Sequence, residues 1–420
     1  MGQRLSKLKP DAVIMKKGLT GVVIVLLLCS IEAQAQFILS GEFRPRTEFS
    51  RGYKTLPSSG QDMSVATTQR TRLNALYSME GLHTKLTLQD VRLWGSQPQM
   101  VTNEDFATSI HEAWAEINLN QSLSIRAGRQ ELVYDDHRIF GNVGWTQQAR
   151  SHDLALLKIE RSFKLHLGIA HHENSNITNN IYNGPDAYKN MQFLWFNKTW
   201  GKSALSLLLL NNGVPVLIAP DEEKSRYSQT IGGRFTHSLD ALNLAANLYG
   251  QTGKHISGKN IQALNFLAEA AFPNNITIGY EYLSGNSHDK TDKVYAFEPF
   301  YGTNHKFNGY MDYFYVGNHI NSYGLHDGYL KYFFAKNKVK LEADLHYFAT
   351  AGLISPQAQR YLGTELDLTC SWAIQPYASI TGGWSVMFAS ENMETLRSGD
   401  RKHLPYWGYI MITVTPAFIQ

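Results

Sequence analysis

An alternation of apolar and polar residues with a period of two, sustained over segments of about a dozen residues, is the feature that most constrains this chain. From Phe37 to Phe49, Phe37, Leu39, Phe43 and Phe49 share one face, while Ser40, Glu42, Arg44, Arg46 and Glu48 share the other. Five polar residues in one register are out of place in the core of a soluble sandwich; inside a barrel they line water. From Thr67 to Met79, Leu73, Ala75, Tyr77 and Met79 oppose Arg70, Arg72 and Asn74. Leu82 to Leu93 sets Leu82, Leu86 and Leu88 against His83, Lys85 and Gln89, with a slip of register expected near Asp90 at a bulge.

The same pattern predicts further strands near 110–120, 122–132, 148–160, 162–172, 188–199, 201–212, 227–238, 240–252, 259–271, 274–285, 326–336, 338–350, 359–371, 374–389 and 403–418, eighteen in all. Their connections alternate in length. Glu80-Gly81, Asn120-Gln121, Arg161-Ser162, Trp200-Gly201, Leu239-Asp240, Pro273-Asn274 and Asn337 are short turns. Long polar stretches lie between them near 50–66, 94–109, 133–147, 173–187, 213–226, 286–325 and 390–402. Short turns on one side and long loops on the other mark an all-β transmembrane antiparallel barrel, with the short side in the periplasm. The 22 tyrosines fit interfacial girdles, where an apolar ring carries a polar tip. Hydropathy hides such a fold, because only every second residue meets lipid. A soluble sandwich or propeller is the competing architecture, but no fixed-period repeat of the propeller kind is present.

The N-terminus reads as an export signal. Lys16-Lys17 precede the apolar run Gly18–Ile31, and Ala33-Gln34-Ala35 supplies a cleavage box, so residues 1–35 are expected to be removed and 36–420 to form a single barrel. Met15 is an alternative start. Cleavage takes away five basic and two acidic residues and leaves 34 of each, so the mature chain is formally neutral. Anion or cation preference must then come from where charges sit rather than from their sum. Cys370 is the sole cysteine of that mature chain, which excludes an internal disulfide and a cysteine-based metal site.

Three stretches carry a family likeness. One is Arg126–Gln130 with Tyr134-Asp135-Asp136, Arg138, Gly144-Trp145, Arg150-Ser151 and Asp153. Another is Leu88–Gly95 (LQDVRLWG), and the third runs through Tyr301–Phe307 and Gly309–Phe314, with His305 and Lys306 inside it. Together they resemble the alginate-export family of outer-membrane proteins, in the branch found in Bacteroidetes. That resemblance implies a barrel of about eighteen strands with a basic constriction that attracts an anionic polysaccharide. It implies outer-membrane lipids, the barrel-assembly machinery and periplasmic export components as partners, and no nucleic acid.

By parity, Arg44, Arg46, Arg70, Arg72 and Arg126 face the lumen, where guanidinium forks bind carboxylate or phosphate. The competing role is structural: pairing with Glu42, Glu48, Asp90, Glu112 and Glu116 to stiffen the wall. Arg129 has the opposite parity to Arg126 and reaches the lumen only through a bulge or from a rim position; Arg92 and Arg150 lie near strand ends. Tyr134, Asp135, Asp136, Arg138, Trp145, His305 and Lys306 are expected as loop contacts to the solute. Asp135, Asp136 and His137 also allow a rim hydrolase, with His137 as base and an aspartate orienting it, although turn-capping aspartates explain the same residues. His171-His172 face opposite sides of a strand, so one metal cannot easily take both. No metal, cofactor or catalytic set is expected.

Residues 286–325 exceed ordinary loop length and are rich in aromatics. They are expected to fold over or into the pore, either contacting glycan or packing among themselves. The expectation from sequence is therefore an outer-membrane channel for anionic polysaccharide, oligosaccharide or small organic anions. A rim enzyme and a closed glycan-binding barrel are the alternatives.

Overall fold

The computed structural model describes residues 35–97, 99, 108–172, 188–219, 222–303, 305–319 and 321–419. Residues 1–34 of the expected export segment 1–35, most of the expected loop 94–109 and the whole of the expected loop 173–187 lie outside the described residues. Among those described, eighteen long strands form one closed antiparallel barrel. The first nine are β1 (Gln36–Arg51), β2 (Ser64–Met79), β3 (Leu82–Leu93), β4 (Thr108–Asn118), β5 (Leu123–Gln130), β6 (His152–Glu160), β7 (Lys164–His171), β8 (Asn190–Trp200) and β9 (Ser203–Ala219). The second nine are β10 (Glu222–Leu239), β11 (Leu242–Gly253), β12 (Ala263–Ala271), β13 (Ile276–Leu283), β14 (Leu325–Lys336), β15 (Val339–Ala349), β16 (Tyr361–Gln375), β17 (Ala378–Ala389) and β18 (Tyr406–Val414). Each pairs with its neighbours in sequence, and β1 closes the ring on β18 through pairs such as Arg46 with Met411 and Phe49 with Gly408. Past Pro416 the last strand resumes as Ala417–Ile419 beside Leu39 and Ser40. Every expected strand is present.

Parity does what a membrane wall requires. Phe43, Leu73, Leu86, Ile231, Leu248, Leu330 and Ile410 are exposed on the outer face, while their polar neighbours turn inward. The irregularity expected near Asp90 lies close by but on the partner strand: the β3–β4 register shifts between Thr87 and Leu88, with His111 of β4 as the extra residue, while β3 runs unbroken through Asp90 beside β2. One expected loop is absent. Residues 213–219 and 222–226 continue the β9–β10 ladder, pairing Gly213 with Tyr227 and Val216 with Lys224. The β-branched residues Val214, Val216 and Ile218 favour that extension.

Two long connections on the extracellular side fold into the barrel. The β5–β6 segment (131–151) and the β13–β14 segment (284–324) meet there: Gly141 N–H donates to Tyr301 O at 2.8 Å and Thr303 N–H to His137 O at 2.9 Å. Their aromatic residues Phe140, Phe297, Tyr301 and Tyr313 are fully buried. They pack against an inner wall that is apolar in this sector, where Met191, Phe193, Leu208 and Leu210 point inward. The lumen is thus not polar all round. The apolar sector of β6–β9 exists because the two segments supply it with a core.

Candidate functional site

Inside the barrel, each inward segment meets a wall of complementary charge. On β1 and β2, the Arg44 guanidinium donates to Gly144 O at 2.8 Å, to Thr146 O at 3.0 Å and to the Gln147 side chain. Arg46 donates to Trp145 O at 2.8 Å and stacks over the Trp145 ring at 4.2 Å. Arg70 reaches Thr146 O at 3.2 Å while pairing with Glu42 at 2.7 Å. Basic side chains therefore hold the carbonyl face of the turn 144–147. On another sector of the wall, β13–β16, Asn308, Tyr310 and Met311 of the longer segment give their N–H groups to acidic residues. Asn308 Nδ2 bridges Glu281 at 2.9 Å and Asp327 at 3.0 Å; the backbone of Met311 donates to Glu365 at 2.7 Å. Arg138, from the shorter segment, crosses to Glu281 at 2.7 Å and to Asn308 at 3.1 Å. A stack ties the centre together: Trp145 lies on His305 at 4.2 Å, and His305 on Tyr310 at 4.6 Å.

This placement sorts the arginines expected to face the solute. Arg44, Arg46 and Arg70 do point inward, but the 131–151 segment buries them, so they clamp that segment instead of meeting solute. Arg72 bonds Gln89 at 2.8 Å and lies near Glu131. Arg126 faces the lumen, pairs with Glu116 and lies over Trp114 at 3.9 Å. Arg150 donates to Gly302 O at 3.1 Å and so links the two segments. Arg92 is a correction, and Arg129 is at the rim rather than in the lumen proper. No bulge interrupts the β4–β5 register, so Arg129 keeps the outward parity of its strand and sits at the rim, next to the last residue of β5, paired with Asp153 at 2.7 Å. Arg92 shares the outward parity of Leu86 and Leu88 and pairs with Asp90 at 2.6 Å.

The expected loop contacts are mostly internal struts. Tyr134 OH meets His166 at 3.0 Å, and its ring packs on Trp195. Lys306 Nζ donates to Asp136 O at 2.8 Å. Asp135 accepts from Trp195 Nε1 at 3.2 Å, whereas Asp136 accepts from Arg234 at 2.7 Å and Asn247 at 2.6 Å. The two aspartates thus point to different strands, and among the described residues no Ser, Asp or Glu side chain hydrogen-bonds the His137 ring. Burial pushes the Asp135 carboxyl up and the His137 imidazole down, each towards its neutral form. Nothing there assembles an aspartate-oriented base. Among the described residues no three His, Cys, Asp or Glu side chains converge as a metal site.

Sequence reasoning centred on arginine missed the lysines. Lys85, Lys158 and Lys331 lie on the inward face and pair with Glu112, Glu116 and Asp344. In these pairs the base is more open to the lumen than the acid: Lys85 31% against Glu112 7%, Arg126 25% against Glu116 8%, and Lys331 28% against Asp344 9%. Arg234 and Asp136 show the same order. The signal was available, since inward parity alone marks Lys85, Lys158, Lys331 and Arg234.

Closed ring, inverted polarity and inward segments together decide the class of molecule. The fold is that of an outer-membrane porin. Solved structures similar to it include OccAB1 of Acinetobacter baumannii, with a TM-score of 0.62, 12% identity, and coverage of 91% of this chain and 97% of that one. OccK9 (OpdG) of Pseudomonas aeruginosa gives a TM-score of 0.58 at 11% identity, covering 91% and 98% of the two chains. OccAB4 of Acinetobacter baumannii gives 0.62 at 10%, covering 91% and 98%. No family model and no curated protein sequence matches the chain, so the likeness to the alginate-export family stands on the quoted motifs alone. The porin fold places the protein in the outer membrane, its short turns in the periplasm.

Proposed function

We propose that this protein is an outer-membrane diffusion channel for small organic anions. The observation that carries the reading is the asymmetry of the lumenal ion pairs. In the Lys85–Glu112, Arg126–Glu116, Lys158–Glu116, Lys331–Asp344 and Arg234–Asp136 pairs the carboxylate lies deeper than the cation, so a solute passing these pairs meets the positive ends, whereas Glu42, Glu48, Glu131 and Glu160 are more open than the bases they pair with. Rings of such cations favour anions in a low-dielectric passage. Two inward segments narrow the lumen, which favours small acids and short uronate oligomers over a polymer chain.

The test is the reversal potential of the refolded mature chain in a planar bilayer under a salt gradient. Wild type is expected to prefer anions, and uronate monomers or short oligomers to block the current. Replacing Lys85, Arg126, Lys158 and Lys331 together by Gln should move the preference towards cations. Retained anion preference in that variant would refute the proposed path. A folded barrel that carries no current would refute the channel itself.

A further inference from the structure

We propose that Glu365 and Asp367 hold one proton between them, and that this shared proton latches the 284–324 segment inside the barrel. Both residues lie on the inner face of β16, two positions apart, and are 0% and 1% exposed. Each gives one oxygen to the segment. Glu365 Oε1 accepts from Met311 N–H at 2.7 Å, and Asp367 Oδ2 from Tyr310 N–H at 3.2 Å. Gly309, at φ +83°, presses so close that a Cβ there would lie 2.4 Å from Glu365 Oε1. The remaining oxygens, Glu365 Oε2 and Asp367 Oδ1, are buried and receive no other donor. Yet the two carboxyl groups share one face of the strand and take the consecutive N–H groups of Tyr310 and Met311, which sets them side by side.

No described lysine or arginine forms an ion pair with either group. The surroundings offer little to offset a second charge. Asp312 approaches Glu365 from the segment itself; Tyr313 lies nearby, with Arg397 of the short helix Glu391–Arg397 acting on the same tyrosine. His346 on β15 approaches Asp367 but is committed to Asp327 at 2.8 Å. Asp344, paired with Asp367 across the β15–β16 ladder, is held by Lys331 at 3.1 Å. Ser385, on β17, stands opposite Asp367. Two adjacent carboxylates without a cation cannot both stay ionised in a buried site. With one proton retained, the protonated group donates to the other and both orphaned oxygens are satisfied. Removing that proton leaves two like charges whose only relief is water, and water reaches them when residues 308–312 move away.

Glu365→Gln and Asp367→Asn separate this device from a merely packed loop. Either amide keeps an acceptor for the segment and offers the partner carboxylate a donor that pH cannot remove. Two readouts on the full mature barrel in lipid test the idea, and neither requires it to conduct. In infrared difference spectra, wild type is expected to show the carbonyl stretch of a protonated carboxyl that disappears on alkalinisation; both variants should lack that change. Proteinase K is expected to nick wild type within the 306–315 stretch only at alkaline pH, and the variants at no pH. A wild type whose nicking ignores pH would overturn the proposal, as would variants that keep its full pH dependence or its infrared change.

Discussion

Arg44 shows how a residue read as a solute contact becomes a structural one. Its charge sits where parity puts it, but peptide carbonyls of 144–147 reach it first. A buried hydrogen bond to a charged group contributes about 1.5–3 kcal/mol, and Arg44 makes several. Arg44→Ala or Arg70→Ala should therefore loosen the 131–151 segment, giving larger and noisier single-channel currents with the anion preference unchanged. Steady currents with the preference lost would instead return these arginines to the path. Arg138 is the corresponding residue between the segments. It is almost wholly buried against Glu281, and removing one partner of such a pair costs about 3–5 kcal/mol. Arg138→Ala should expose the 284–324 segment to proteolysis, whereas Arg129→Ala, at the rim, should leave that segment protected.

At the level of elements, both inward segments exploit the two-sided polarity of a peptide chain. Basic strands β1 and β2 hold carbonyls, and acidic strands β13, β14 and β16 hold amide groups. The aromatics of the longer segment were expected either to contact glycan or to pack among themselves; Phe297, Phe300, Tyr301, Tyr313 and Phe314 are core. Replacing 287–323 by a tight turn should leave the strand ladder intact and raise conductance several-fold, because β13 and β14 pair from Leu283–Leu325 downwards without it. Unchanged conductance would remove the segment from the permeation path.

For the whole molecule, stability in lipid rests on the apolar outer belt and on a ladder with no free edge. Leu207 lies on that belt, 49% exposed, in the barrel portion of β9. Leu207→Arg should cost about 2–4 kcal/mol near the midplane, read as a loss of folded fraction when urea is titrated against the barrel in vesicles. The same substitution at Leu208, one residue on, replaces an inward core residue and should disturb the docking of 131–151 instead. A one-residue step reverses the consequence because the side-chain period is two.

Much of this was legible along the chain. Strand number and the parity of Phe37–Phe49 follow from local alternation, which the membrane enforces on every strand independently. Arg126 and Lys85 could be placed in the lumen for the same reason. Whether an inward residue meets solute or another part of the protein was decided only by tertiary structure. Nothing local to Arg44 indicates that Gly144–Gln147 will cover it, about a hundred positions away. Parity is a property of neighbouring residues, whereas burial beneath a folded-in segment depends on contacts between distant ones.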